Sequence, residues 1–164
     1  TITKGHIATI LIKRGYARNL KEAIDKYMSK RTLGYVRRQT PDPKTCIDII
    51  HDAGGSAFLA HINQIDRANA YHSIEVSKKV ISAGIDGIET CYCEYDDFWE
   101  HESKCLAKDF KLLCSGGSDF HGSFKENLDL GTGYGNLCVP YSFLEDIKCV
   151  RKSKNYLLNT VLTL

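Results

Sequence analysis

The chain has 164 residues, 43% of them hydrophobic and 26% charged, a balance that suits one soluble domain with a core of its own and argues against disorder. Its formal net charge of +2, with Lys and Arg dispersed, is too weak to mark a dedicated nucleic-acid binder, so nucleic acid stays open only as a substrate. No apolar run nears the ~20 residues of a spanning helix, and Thr1-Ile2-Thr3-Lys4 lacks the layout of a signal peptide; no membrane partner is expected and a cytoplasmic location is the default.

Cys46, Cys91, Cys93, Cys105, Cys114, Cys138 and Cys149 make an odd set without any Cys-x-x-Cys pair. That pattern fits neither a disulfide framework nor a zinc knuckle, and reduced thiols, several of them in the core, are expected. The spacing of Cys91 and Cys93 is a poor chelate for one tetrahedral ion. The chain opens on Thr1 rather than Met, and a cut from a longer parent is the working expectation.

In chain order, Ile7, Ile10 and Leu11 recur at helical spacing up to Gly15, and Asn19 caps a second helix with Glu22 three residues on. A small helical hairpin results, with a strand at Tyr35-Val36 after it. Thr40-Pro41-Asp42-Pro43 marks a boundary, because Pro43 suits the first position of a helix running to Ala53. Beyond it, short apolar runs at 57–60, 85–90 and 111–114 alternate with helices over 71–83 and 97–108. Strands separated by helices of that length imply parallel β-α units, hence an α/β layer or part of a barrel. A glycine-rich loop at 131–135 precedes a last helix over Ser142 to Arg151. That loop lacks the Lys-Ser/Thr ending of a nucleotide-binding loop.

The segment Gly116-Gly117-Ser118-Asp119-Phe120-His121-Gly122 follows the last apolar run. Functional groups of α/β proteins gather at the carboxyl ends of parallel strands, and Asp119 and His121 would stand there in a flexible turn. A carboxylate and an imidazole suit Zn, Mn or Fe. Asp-x-His alone reads more readily as an ordinary capped turn. His61, ending the run Ala57-Phe58-Leu59-Ala60, would project from an equivalent strand end and makes the set harder to dismiss. Glu89, ending its own strand, reads either as a partner orienting a metal-bound His or as an interior sheet residue. His51, His72 and His101 fall among polar residues and are expected to be solvated.

Gly54 through His61, then Gly84-Ile85-Asp86-Gly87-Ile88-Glu89, Gly117-Ser118-Asp119-Phe120-His121-Gly122 and Leu130-Gly131-Thr132-Gly133 together resemble the latter portion of PHP proteins, the polymerase and histidinol phosphatase family. Lys4-Gly5-His6-Ile7-Ala8 and Gly15-Tyr16 resemble the start of the helical insertion those enzymes carry. The resemblance implies residues 1–39 as that insertion segment and 40–164 as the C-terminal part of a distorted (β/α)7 barrel that hydrolyses phosphate esters, phosphomonoesters or nucleotide phosphates, with two or three divalent ions. It carries the family's third metal motif onto His61 and the fourth onto Asp119 and His121, which would act through the metal. The first two motifs have no counterpart here.

Two positions depart from the pattern. Ile62 replaces the usual Pro after the third-motif His, and Lys4 replaces a common Arg, losing the bidentate fork that grips phosphate. Lys4 and His6 are the candidate substrate contacts. With half of the ligands absent, the chain alone is expected to be inactive. The alternatives are a non-catalytic metal-binding module, or an interaction domain that dimerises through an exposed half-barrel edge.

Overall fold

The computed structural model describes residues 2–30, 32, 34–36 and 40–161, with side chains described through 151. The chain divides into two compact units, Thr1–Thr40 and Pro41–Leu164.

The first unit holds helices α1 (Lys4–Lys13) and α2 (Leu20–Tyr27). Asn19 Oδ1 accepts the Glu22 amide at 2.9 Å, satisfying one orphan donor at the start of α2, and the Glu22 carboxylate in turn accepts the Arg18 amide at 2.9 Å. Ala8 of α1, Ala17 of the link and Ala23 of α2, with Met28, form a core flanked by Leu11, Ile12, Leu20 and Ile24. Ile7 and Ile10, which set the helical period in the sequence, are largely exposed within this unit. Tyr35 and Val36 form no strand. Val36 is 81% exposed, and the unit offers no described strand for it to pair with, so its β propensity has nothing to act on.

The second unit runs α3 (Pro43–Asp52), β1 (Phe58–Leu59), α4 (Ala70–Ser82), β2 (Gly87–Tyr92), α5 (Asp97–Asp109), β3 (Leu113–Gly117) and α6 (Tyr141–Val161). The strands form one parallel sheet in the order β1-β2-β3, and α4 and α5 are the crossovers that parallel neighbours require. This is the α/β arrangement expected from the alternation of apolar runs and helices. Asp42, Asn69 and Asp96 cap α3, α4 and α5 by accepting the amides of Thr45, His72 and Trp99. Each such cap contributes roughly 1 kcal/mol.

The core lies where Ile47 of α3, Ile81 of α4, Ile88 of β2, and Leu106 and Ala107 of α5 meet Ala57, Ile62 and Ile85. β2 is the central strand, and both of its faces are covered, which is why its burial does not alternate. Gly87 begins it because there is no room for a side chain: a Cβ there would fall 2.7 Å from the Leu113 carbonyl oxygen. β3 starts later than the apolar run suggests, since Lys111 takes a left-handed conformation (φ 54°) as the chain leaves α5. It also runs on through Gly116 and Gly117, where a Cβ at Gly116 would lie 2.7 Å from the Cys91 carbonyl, so glycine permits the close pairing. The last helix extends ten residues past the expected Arg151, to Val161. No helix among the described residues is long and apolar enough to cross a membrane.

Two expectations about side chains change here. His51 is not simply solvated: its Nε2 lies 2.7 Å from Asp86 Oδ2, which also accepts the Ala57 amide at 2.7 Å, tying α3 to the starts of β1 and β2. The partner is 35 residues away in sequence, beyond any helical pattern. Of the cysteines, Cys93 alone is fully buried; Cys91, Cys105 and Cys114 are half-buried, while Cys46 and Cys138 lie on the surface.

Ile88 is wholly buried at the centre of this core, whereas Ile49 on α3 is 60% exposed. Ile88→Ala is expected to lower the unfolding free energy by about 2–5 kcal/mol in urea titration, and Ile49→Ala by less than about 0.5 kcal/mol. Equal losses in the two variants would misplace the core.

Candidate active site

Three acid or imidazole side chains stand at equivalent points of the sheet. His61 lies two residues beyond the end of β1 at Leu59, Glu94 two beyond the end of β2 at Tyr92, and Asp119 two beyond the end of β3 at Gly117. Parallel strands carry their carboxyl ends to one side, so the three loops leave the sheet together. β2 also shifts register between Glu89 and Cys91, an irregularity of the kind that re-aims side chains at a sheet rim.

The backbone at two of these points is strained. His61 (φ 32°, ψ 61°) and Asp119 (φ 53°) are left-handed although neither is glycine. Each costs of order 1–3 kcal/mol and persists only where neighbours over-determine it. At His61 the constraint is visible. The Glu89 carboxylate accepts the His61 amide at 2.6 Å. The Tyr95 hydroxyl accepts the Ile62 amide at 3.0 Å and donates to the Glu89 carbonyl at 3.3 Å. Consecutive backbone donors after β1 are thus clamped by β2 and the turn that follows it. The His61 ring lies tilted beside Tyr92, with centroids 6.0 Å apart. Glu89 is a buried residue of the central strand, and its bond to His61 is made to the backbone amide rather than the ring.

The electrostatics follow from half-burial of several charges. Burial raises the Glu89 carboxyl above the ordinary glutamate range; the His61 amide opposes the rise, and the Asp119 charge adds to it. For Asp119 burial also works against the charge, but the Lys125 ammonium, with help from His121 and His61, outweighs it and holds the carboxylate below its usual range. Lys125 Nζ donates to Asp119 Oδ2 at 2.8 Å and to Glu94 Oε1 at 3.2 Å. Burial disfavours its charge, yet these two bonds leave it above the ordinary lysine range. Gln64 Nε2 donates to the Tyr92 hydroxyl at 2.6 Å, and burial together with the Glu94 charge pushes that phenol up to about 12. Asn63 donates to the Glu94 carbonyl at 3.1 Å while its own buried Oδ1 meets no protein partner.

His121 Nδ1 lies 2.6 Å from the Asp119 carbonyl oxygen. A carbonyl can only accept, so Nδ1 carries a proton; in a neutral ring that leaves the lone pair on Nε2, the form in which imidazole binds metal. An ionised Asp119 and two imidazoles are donors suited to a divalent transition ion. As they stand, no three His, Cys, Asp or Glu side chains among the described residues are gathered tightly enough to hold one. His61, Asp119 and His121 are therefore electrostatic neighbours rather than an assembled cage; His121 is exposed and turned to its own backbone, and Asp119 Oδ2 already carries the Lys125 ammonium.

Lys4 and His6 stand in the first unit. Both are exposed on the first turn of α1, and His6 Nδ1 accepts the Thr3 amide at 3.2 Å, which leaves the proton on Nε2 and free to be donated. Sequence reading passed over Glu94, Lys125 and Tyr92. Position relative to the strand ends is the one signal that could have found Glu94, and no local pattern announces Lys125. Loop 131–135 has a packing role: Gly133 (φ 64°) bridges to Asp129, and a Cβ there would lie 2.5 Å from that of Cys93.

No family model matches the chain. It is 32% identical over 120 residues to the 5'-3' exoribonuclease Rnm of Salmonella typhimurium, covering 73% of this chain and 41% of that protein. It is 26% identical over 133 residues to a 3',5'-nucleoside bisphosphate phosphatase of Chromobacterium violaceum, covering 79% of this chain and 45% of that one. A crystal structure assigned as a metal-dependent phosphoesterase of Bifidobacterium adolescentis superimposes with a TM-score of 0.69 at 25% identity, over 90% of this chain and 50% of the other. These relatives are phosphate-ester hydrolases. The chain spans half or less of the length of each.

The clamp and the carboxyl it buries give two expected outcomes. Tyr95→Phe strands the amide of the fully buried Ile62 and is expected to cost about 1–3 kcal/mol in urea unfolding. Because folding raises the Glu89 pKa, the native state holds that proton to higher pH than the unfolded chain, so this group's contribution is largest at low pH and fades as pH climbs from 4.5 through the folded value. Glu89→Gln keeps an acceptor for His61 and removes the titration, so its stability profile over about pH 4 to 7 should be flatter than that of the wild type. Parallel profiles would contradict this.

Proposed function

We propose that the chain contributes to a metal-dependent phosphoesterase of the PHP type, acting on phosphomonoesters, nucleotide phosphates or short nucleic acid. What supports this most directly is the pair of left-handed, non-glycine residues His61 and Asp119 beyond β1 and β3, the two parallel strands that flank β2, in a chain whose relatives cleave phosphate esters. Strain of that kind is kept where side-chain placement matters more than backbone comfort.

His61, Asp119 and His121 would hold a divalent ion, Mn, Zn or Fe, and a complete centre would contain two or three. When bound, such ions lower the pKa of water and offset charge on the phosphoryl oxygens. The protein's own groups do the rest. Glu89 fixes the His61 loop through its backbone, and the His121 Nδ1 bond to the Asp119 carbonyl selects the tautomer with Nε2 available. Lys4 and the Nε2 proton of His6 would meet the substrate phosphate, as a point charge and a single donor. The half-barrel reading also assigns the outer edge of β1, which pairs with β2 alone among the described strands, to a further strand or a second copy.

Three candidate ligands are too few for a two-ion centre. The 164-residue chain alone is thus expected to bind Mn or Zn and to turn over little or no p-nitrophenyl phosphate. Calorimetric titration should show saturable binding that His121→Ala and Asp119→Asn each weaken by about tenfold or more. Binding unaffected by both substitutions, or robust hydrolysis that survives His121→Ala, would overturn the assignment.

A further inference from the structure

Aromatic side chains left in solvent gather at one end of the second unit. Phe120 and Phe124 stand among the candidate site residues after β3, at 44% and 46% exposure, and Tyr134 follows in the next loop at 52%. Tyr71 and Phe98, also exposed, open α4 and α5. A crossover helix starts on the side where the preceding strand ends, so these rings share the carboxyl end of the sheet. The opposite end shows Phe110, at the close of α5.

The loop that carries Tyr134 is braced to both strand ends. Asn136 donates to the carbonyl of Cys93, just beyond β2, at 3.0 Å, and the Gly131 amide donates to Ser118 Oγ, just beyond β3, at 3.4 Å. The Gly135 amide closes the turn at its tip on the Thr132 carbonyl, at 3.0 Å. Nor are these faces taken by other rings. Among the described residues, ring contacts join His61 to Tyr92, Tyr92 to Tyr95 and Phe98 to Trp99, and Phe120, Phe124 and Tyr134 enter none. Exposed apolar side chains gathered beside a candidate site mark a place where something apolar binds.

We propose that Phe120 and Phe124, with Tyr134, form a base-stacking rim that selects phosphate esters carrying a nucleobase over plain sugar phosphates. A nucleobase is flat, has a π-face whatever its identity, and gains by stacking on aromatic rings. A net charge of +2 with dispersed Lys and Arg offers no cationic track for a long phosphate backbone, so the base is the part of such a ligand that this surface can hold. The proposal rests on the phosphoesterase reading for the other half of the ligand, while the stack is measurable without a phosphate.

Saturation-transfer NMR titrations of the full chain with adenosine, ribose phosphate and adenosine monophosphate separate the two halves. In the wild type adenosine is expected to bind, and adenosine monophosphate to bind more tightly than ribose phosphate. Phe120→Leu and Phe124→Leu keep apolar bulk but remove the π-face, and each is expected to weaken adenosine binding by about fivefold or more. Phe110→Leu, at the opposite end, is expected to bind as the wild type does. Adenosine binding that needs Phe120 and Phe124 but not Phe110 supports the proposal. No saturable adenosine binding, or equal binding by the wild type and both Leu variants, overturns it, and ribose phosphate binding that persists then leaves the phosphoesterase reading in place. If adenosine binds through these rings and ribose phosphate does not bind, that reading fails and the stack stands. Sedimentation tests a different cover for the same rings: a wild-type dimer that Phe124→Leu dissociates assigns them to a second copy and overturns the proposal.

Discussion

The hydrogen bond from the His61 amide to the Glu89 carboxylate is the contact on which the rest of the site depends. Glu89 is 9% exposed, at a place in the central strand where an apolar residue would be more stable by itself. Its position is explained by what it holds: the chain leaving β1 must turn at once into a left-handed residue, and a neutral neighbour would give that amide a weaker acceptor. Tyr95 repeats the device one residue later. The loop that presents His61 is thereby fixed by β2, so the spacing between two strand ends is set within the sheet and not left to loop flexibility.

A second constraint works across the strand ends. Glu89, Glu94 and Asp119 would repel one another in a partly buried space, and Lys125 is the cation that answers two of the three. Burial alone would push Asp119 and Glu89 toward protonation. The ammonium keeps Asp119 ionised, while Glu89, which it does not reach, remains with a raised pKa. One lysine thus separates an ionised carboxylate from one that serves the backbone.

Kinship with a ribonuclease, a nucleoside bisphosphate phosphatase and a metal-dependent phosphoesterase is consistent with this division of labour. Phosphoryl chemistry asks a protein mainly for fixed charges at short range, and charges are cheapest to fix at the ends of buried parallel strands. The helical first unit is of another kind: alanines at its helix contact let two short helices approach closely, and its exposed isoleucines are not explained by its own core.

Much of the framework is written in local sequence. The alternation of short apolar runs with capped helices gives the parallel α/β order, because each cap and each buried strand is specified by residues close in the chain; Asn19 and Pro43 mark their helix starts by residue type alone. The candidates are legible for the same reason, His61 following one apolar run and Asp119 with His121 following another. What the sequence cannot state is which distant groups meet. His51 finds Asp86, His61 finds Glu89, and Lys125 finds Glu94, at separations of 35, 28 and 31 residues, because strands far apart in the chain lie side by side in the sheet. Local pattern decides what each residue is able to do, and the packing of the strands decides what distant groups it is near; the charge balance at Asp119 draws on both, with Lys125 and His121 close in the chain and His61 brought near by the sheet.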